Sequence, residues 1–126
     1  MREIQKISES EMEVMQVIWG FEKTLTSAEI LQALNQKKDW KPTTVFTFLA
    51  RLAEKGIITS SKKGKVNQYI PLISESDYRQ FETYSFLNTV HKGSVKSFIS
   101  ALYEGDGIKK EEIEELKKWF AQKVGE

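Results

Sequence analysis

Three runs of apolar residues at helical spacing occupy the first part of the chain. Two capping boxes, in which a hydroxyl and a glutamate satisfy free backbone N–H groups, predict helices that start at Ser8 and Thr26. Pro42 suits the first turn of a third helix, because its missing N–H is not needed there, and Gly56 closes that helix. The three apolar stripes are Met12, Met15, Ile18 and Trp19; Ile30, Leu31 and Leu34; and Val45, Phe48, Leu49 and Leu52.

The pattern after Gly56 indicates strands instead of helices. Residues 57–61 and 66–70 have the composition of two strands, residues 62–65 that of the turn between them, and Pro71 stops the second strand. Leu25 can add a short third strand. Three helices followed by a hairpin are the plan of a winged helix-turn-helix domain, which we assign to residues 1–73.

Residues 74–126 show three more apolar stripes at helical spacing. Some fifty residues cannot bury this many large apolar side chains alone, so we expect a partner subunit to cover them. Packing onto the first domain in a monomer is the alternative. The predicted fold class is therefore mainly α with a small β hairpin: an N-terminal winged helix-turn-helix plus a C-terminal helical dimerisation domain. The predicted dimerisation residues are Phe86, Leu87, Val90, Phe98, Ile99, Leu102, Ile113, Leu116 and Phe120.

Composition excludes several classes of protein. The chain has 126 residues, of which 40% are hydrophobic and 29% charged, as in globular domains that do not enter membranes. It has no cysteine, one histidine, no glycine-rich phosphate loop and no signal-peptide pattern. We therefore expect a cytoplasmic protein that is not an enzyme and holds no cofactor or metal. The acidic run at residues 111–115 is the solvated face of a helix.

Basic charge is concentrated in one part of the chain. The net charge is only +1, yet residues 37–65 carry eight basic and two acidic side chains, a local charge of +6. In a winged helix six of the eight basic residues lie at the start of the third helix or at the hairpin tip, where the fold meets DNA. A solvated lysine-rich surface is the alternative. The predicted backbone contacts are Lys41, Lys62, Lys63 and Lys65.

The third helix carries an unusual exposed face. At 100° per residue, Thr43 and Thr47 lie opposite the apolar stripe, Thr44 and Arg51 on one edge and Phe46 on the other. Threonine is a mediocre helix former, whereas short hydroxyls and methyl groups suit phosphates and base edges in the major groove. We predict that these five side chains contact DNA. Two alternatives stay open: the first two threonines cap the helix and Phe46 packs under the second helix or the wing.

Several short segments of the chain match one known family of proteins. The matching residues are Trp40-x-Pro42-x-Thr44-x-x-Thr47-x-x-x-Arg51-Leu52-x-x-Lys55-Gly56, Glu13-Val14-Met15, Ile18-Trp19, Tyr69, Phe86-Leu87-Asn88 and residues 111–116. In these residues the sequence resembles the penicillinase-repressor family, of the BlaI/MecI type, over nearly its whole length. That resemblance implies a homodimeric repressor that binds palindromic operators and silences β-lactamase or penicillin-binding-protein genes, with Thr44, Thr47 and Arg51 as DNA contacts.

The resemblance also implies an inducing pathway. Such repressors are released from DNA when a membrane sensor, a zinc metalloprotease, leads to their cleavage, and the cleaved position falls on Ala101-Leu102 here. The chain departs from the family at Thr43 and Phe46, where relatives often carry Lys and Arg or Gln. Two other functions stay open: a repressor that answers copper, although the cysteine motif of those relatives is missing, and a winged-helix module that binds proteins instead of DNA.

Overall fold

The structure is a computed structural model that describes residues 4–21 and 23–125. The chain divides into two compact units, of which the first ends at Glu82 and the second begins at Thr83. We placed the domain boundary earlier, after residue 73. Residues 1–3, 22 and 126, which the two predicted domains include, lie outside the described residues.

The first unit has the order of elements that the sequence predicts, and the fold class is confirmed. The short strand at Leu25 is present as well. The elements are α1 (Glu9–Gly20), β1 (Leu25–Thr26), α2 (Ser27–Asn35), α3 (Pro42–Glu54), β2 (Ile58–Lys63), β3 (Val66–Pro71) and the first turns of α4 (Glu75–His91).

The predicted helix boundaries correspond to real caps. Both capping boxes form, with Ser8 and Glu11 on α1 and with Thr26 and Glu29 on α2. At the end of α3, Gly56 has φ of +77°, a conformation that suits glycine because it has no Cβ. The Ile57 N–H donates to the Leu52 carbonyl at 3.0 Å, which is the closing bond of a Schellman motif.

The hairpin is longer than the sequence predicts, and the predicted turn at residues 62–65 is wrong. The strands are ordered β1-β3-β2, all antiparallel, and the β2–β3 ladder runs from Ile58 opposite Pro71 to Lys63 opposite Val66. Only Gly64 and Lys65 form the turn. Gly64 has φ of +69°, as the first central residue of a type II′ hairpin turn requires, and this two-residue turn lets the strands continue to the tip.

The core of the first unit lies between the three helices and the sheet. All three predicted stripes contribute to it, and Tyr78 of α4, only 1% exposed, completes it. Tyr78 also holds the segment before α1, because the Ile7 N–H donates to its hydroxyl at 2.6 Å. The buried apolar residues are Ile7, Val14, Met15, Ile18, Leu25, Ile30, Leu34, Val45, Leu49, Leu52, Ile57, Ile58, Tyr69 and Tyr78.

A buried ion pair joins the start of α1 to the end of α3. Glu11 is 2% exposed, and its Oε1 lies 2.6 Å from the Nζ of Lys55. The same ammonium donates to the Lys6 carbonyl at 2.9 Å, and the same carboxylate accepts from the Ser8 N–H at 3.0 Å. Burial raises the pKa of Glu11, but the hydrogen bonds from Lys55 and Ser8 outweigh it, so that the pKa lies below its ordinary value of 4.5.

The second unit has no buried side chain between residues 83 and 125, the part of it that the structure describes. It contains the end of α4 and two further helices, α5 (Val95–Glu104) and α6 (Lys110–Val124), so all three predicted C-terminal helices are present. The rings of Phe86, His91 and Phe98 pack edge to face with centroids 5.4 to 6.1 Å apart. None of the residues described between Thr83 and Gly125 is buried. This unit therefore lacks a core of its own.

No helix among the described residues is both long enough and apolar enough to cross a membrane.

The buried pair leads to a stability prediction. Lys55→Met should lower the free energy of unfolding by about 3 kcal/mol at neutral pH, because it leaves a buried carboxylate without its partner. The folded-state pKa of Glu11 lies below its unfolded value of 4.5, so the pair stabilises the wild type above that pH and this stabilisation is lost as the pH falls through the folded pKa. The cost of Lys55→Met should therefore shrink in acid.

Urea denaturation followed by tryptophan fluorescence, at neutral pH and below pH 4.5, measures this difference. Lys55→Arg keeps the positive charge and serves as the control. An equal loss of stability at both pH values would contradict the role of the ion pair.

Candidate nucleic-acid interface

Helix α3 has one buried and one exposed face. Val45, Leu49 and Leu52 are at most 2% exposed and fix the helix in the core. Phe48 is half-buried and packs against Trp40, with ring centroids 5.3 Å apart. The side chains on the opposite face, Thr43, Phe46, Thr47, Ala50 and Glu54, are all exposed.

The three predicted threonine contacts have different surroundings. Thr43 is exposed, whereas Thr44 is half-buried. The Thr47 hydroxyl donates to the Thr43 carbonyl of its own helix at 2.9 Å. This bond uses the only hydrogen of the hydroxyl, so Thr47 presents its methyl group and acceptor lone pairs to a ligand.

Phe46 is exposed. Its relative accessibility is 49%, and it is not among the described side chains that pack against the core of the first unit. The structure therefore does not bury the ring under α2 or the wing. Arg51, on the other edge of the face, is exposed as well.

Two of the lysines in the basic segment are engaged within the protein. Lys38 lies 3.1 Å from Glu13 of α1, and its Nζ is 5.7 Å from the centre of the Trp40 ring. Lys55 belongs to the buried pair with Glu11. The positive charge that this segment can offer to a ligand is therefore smaller than the local charge of +6 suggests. The exposed cations of this segment that have no ion pair within the described part of the chain are Lys37, Lys41, Arg51, Lys62, Lys63 and Lys65.

The wing presents positive charge in more than one direction. Lys62 and Lys63 are consecutive in β2, so their side chains point to opposite faces of the hairpin. Lys65 lies in the turn itself. All three are exposed, which places positive charge on both faces and at the tip of the wing.

The start of α3 is open to an anion. α1 and α2 each begin with a capping box, but Lys41 caps α3 without a side-chain hydrogen bond, and Pro42 has no N–H. Within the described part of the chain, the first turn of α3 therefore has no acidic residue and no side-chain hydrogen bond from its cap, and the cap residue itself is a cation. We did not predict this uncapped helix start from the sequence, although the lysine directly before Pro42 indicates it.

The arrangement suits a double-stranded nucleic acid, which presents charged phosphates along its backbone and base edges in its grooves. Cations at the start of α3, at Arg51 and on the wing can neutralise phosphates. Between them, the exposed face of α3 has the width and the side chains that enter a major groove. Among the described residues, no group of three or more histidine or acidic side chains is arranged to hold a metal ion.

The predicted dimerisation residues lie on all three helices of the second unit, and none of them is buried. Phe86, Val90, Ile99, Leu116 and Phe120 are between 39% and 59% exposed. The other four are half-buried: Leu87, Phe98, Leu102 and Ile113. Trp119, which was not predicted, is 50% exposed and lies beside Phe120 with ring centroids 5.0 Å apart. The predicted cleavage position, Ala101-Leu102, lies within α5.

The amino-acid sequence of the chain is similar to those of known proteins. The family model described as penicillinase repressor matches residues 7–122. The chain is 39% identical to the penicillinase repressor of Bacillus licheniformis, over 92% of this chain and 90% of that protein. It is 37% identical to the methicillin resistance regulatory protein MecI of Staphylococcus aureus strain N315, over 89% of this chain and 90% of the relative.

Two solved structures resemble the first part of the chain. One is the solution structure of the DNA-binding domain of the repressor BlaI, with 41% identity and a TM-score of 0.55 over 62% of this chain and 94% of that one. The other is the monomeric form of Bacillus licheniformis BlaI in complex with the blaP half-operator, with 41% identity, a TM-score of 0.53 and the same coverage.

Proposed function

The chain belongs to the penicillinase repressor family, and on that premise we propose that it is a homodimeric repressor of β-lactam-resistance genes that binds a palindromic operator. Members of this family are transcriptional repressors, so the chain is not an enzyme. The observation that carries the proposal is the exposed face of α3 with unpaired cations at its start and on the wing. A relative with 41% identity was solved on a half-operator, which supports the same use of this surface.

The predicted contacts divide into two groups. Lys41, Lys62, Lys63 and Lys65 would bind the phosphate backbone and set the position of the protein on the duplex. Thr43, Thr44, Phe46, Thr47 and Arg51 would face the groove. A winged-helix module that binds only proteins is less well supported, because it would not need the unpaired cations at these two places.

A homodimer is the second part of the proposal, and the exposed apolar side chains of the second unit support it. A helical unit with no buried residue cannot offset the entropy cost of ordering its chain, so it needs a surface to cover it. A second copy of the same unit offers an equally apolar surface. Two copies would also present two α3 helices to the two halves of a palindrome.

Release from DNA by a membrane sensor protease is the third part. The family relationship to resistance regulators supports it, and the proposed cleavage position is Ala101-Leu102. Proteases cut extended chains, so α5 must open before this bond is accessible. None of the side chains of α5 is buried in the isolated chain, so the opening is inexpensive in a free subunit, whereas in the proposed dimer it competes with the contacts of Phe98, Ile99 and Leu102.

DNA binding is tested by anisotropy titration of a promoter fragment at several salt concentrations. The affinity should fall steeply with salt, because each neutralised phosphate releases a counterion. Lys41→Gln should reduce the slope of log K against log salt by about one, whereas Lys38→Gln, the same charge change at a lysine already paired with Glu13, should leave the slope nearly unchanged. No binding even at low salt would contradict the repressor proposal.

Dimerisation is tested by Leu116→Asp, which places a charge in the apolar stripe of α6. Sedimentation should show a monomer, and the affinity for a full operator should fall by about 100-fold or more through the loss of bivalency. Gln122→Asp introduces the same charge at an exposed position on the opposite side of α6 and should stay dimeric. Retained weak binding to a half-site shows that the first unit is still folded. A wild-type chain that sediments as a monomer would contradict the homodimer.

Cleavage is tested by mass spectrometry of the chain recovered from cells that carry the sensor and are exposed to a β-lactam. A fragment that ends at Ala101 is expected once the target genes are expressed. Recovery of only the intact chain during full expression would contradict proteolytic release, while leaving the DNA-binding proposal in place.

A further inference from the structure

The exposed face of α3 carries a short row of uncharged side chains. Thr43, Phe46, Thr47 and Ala50 follow one another at i, i+3, i+4 and i+7, and all four are exposed. Charged side chains surround the row: Lys41 precedes it, Glu54 follows it one turn later, and Arg51 lies on the edge of the face opposite Phe46.

Most of this row cannot donate a hydrogen bond. Phe46 and Ala50 have no polar side-chain atom, and the Thr47 hydroxyl donates to the Thr43 carbonyl at 2.9 Å. Only the Thr43 hydroxyl keeps a free hydrogen, among the described side chains of the row. From Phe46 to Ala50 the row therefore presents to a ligand the ring of Phe46 and the methyl groups of Thr47 and Ala50.

An exposed phenylalanine in the middle of such a row indicates an apolar contact. Phe46 is 49% exposed, although solubility alone favours a charged residue at this position. In the major groove, the C5-methyl group of thymine is the only apolar group that a base pair presents. The backbone phosphates have no affinity for a ring or a methyl group.

We propose that this row, with the Phe46 ring on one edge of the face, selects the half-site through the C5-methyl groups of thymine. The inference rests on the proposed DNA binding and names the base feature that is recognised. The lysines then supply affinity and orientation, while the uncharged row, which faces the groove beside Arg51, distinguishes one sequence from another.

The test replaces thymine by deoxyuridine, which removes the methyl group and keeps every hydrogen-bonding group of the base. The full chain first selects duplexes from a random-sequence library. The best duplex is then synthesised with each thymine of both half-sites replaced in turn, and the affinities are measured by anisotropy at one salt concentration. We expect a loss of about fourfold for each contacted methyl group, which corresponds to the transfer of one such group from water.

Phe46→Ala connects the loss to this residue. The variant should bind the thymine duplex more weakly than the wild type does, and it should bind the thymine and deoxyuridine duplexes within about twofold of each other at the positions that Phe46 contacts. Phe21→Ala is the matched control: the same substitution at a phenylalanine that is 47% exposed, next to the end of α1. It should keep the full preference for thymine. Thermal unfolding of both variants confirms that they are folded.

The outcomes separate the two proposals. If the wild type binds no duplex at low salt, the proposed function is wrong. If it binds and does not distinguish thymine from deoxyuridine, DNA binding stands and the methyl readout is overturned. If replacing thymine by deoxyuridine lowers the affinity of the wild type and of Phe46→Ala by the same factor, the role of Phe46 is overturned. An unchanged duplex affinity of Phe46→Ala also overturns it.

Discussion

The buried ion pair between Glu11 and Lys55 constrains the geometry of the whole first unit. A carboxylate that is 2% exposed must have a partner, and here the partner is the C-terminal cap of α3. The same carboxylate caps α1, and the same ammonium binds the Lys6 carbonyl, so the start of one helix, the end of another and the segment before α1 meet at one charge. Helix α3 cannot slide along its axis without leaving that charge unpaired. Its buried stripe, and with it the opposite face, is therefore held in a defined register.

The two units obtain their stability in different ways. The first has fourteen buried apolar residues in the part that the structure describes, and polar links across long sequence separations, such as the bond from Ile7 to Tyr78, 71 residues apart. The second has three amphipathic helices and a small edge-to-face ring cluster, but no buried side chain among its described residues. Mutations in the core of the first unit are therefore expected to act on folding, whereas mutations on the apolar stripes of the second would act on the proposed association.

Local patterns predicted most of the fold, because the signals involved lie within a few residues of each other. The capping boxes, the Pro42 start and the stripe from Val45 to Leu52 are of this kind. The hairpin turn was misplaced since lysine is compatible with both strand and turn, and the ladder to Lys63 depends on pairing with Val66. The site was predicted less completely for a related reason. The partners that occupy Lys38 and Lys55 are in α1, and nothing near either lysine in the sequence indicates them.

The contrast between Phe46 and the cations around it has a thermodynamic consequence. Free energy gained by covering an uncharged ring hardly depends on ionic strength, whereas the attraction between lysine and phosphate weakens as counterions accumulate. On a duplex, added salt would therefore remove the contacts that all sequences share before it removes the contact that differs between them. A DNA-reading face that combines an uncharged ring with cations would become more selective as the ionic strength rises, so that added salt would cost such a protein occupancy on random DNA before it costs fidelity.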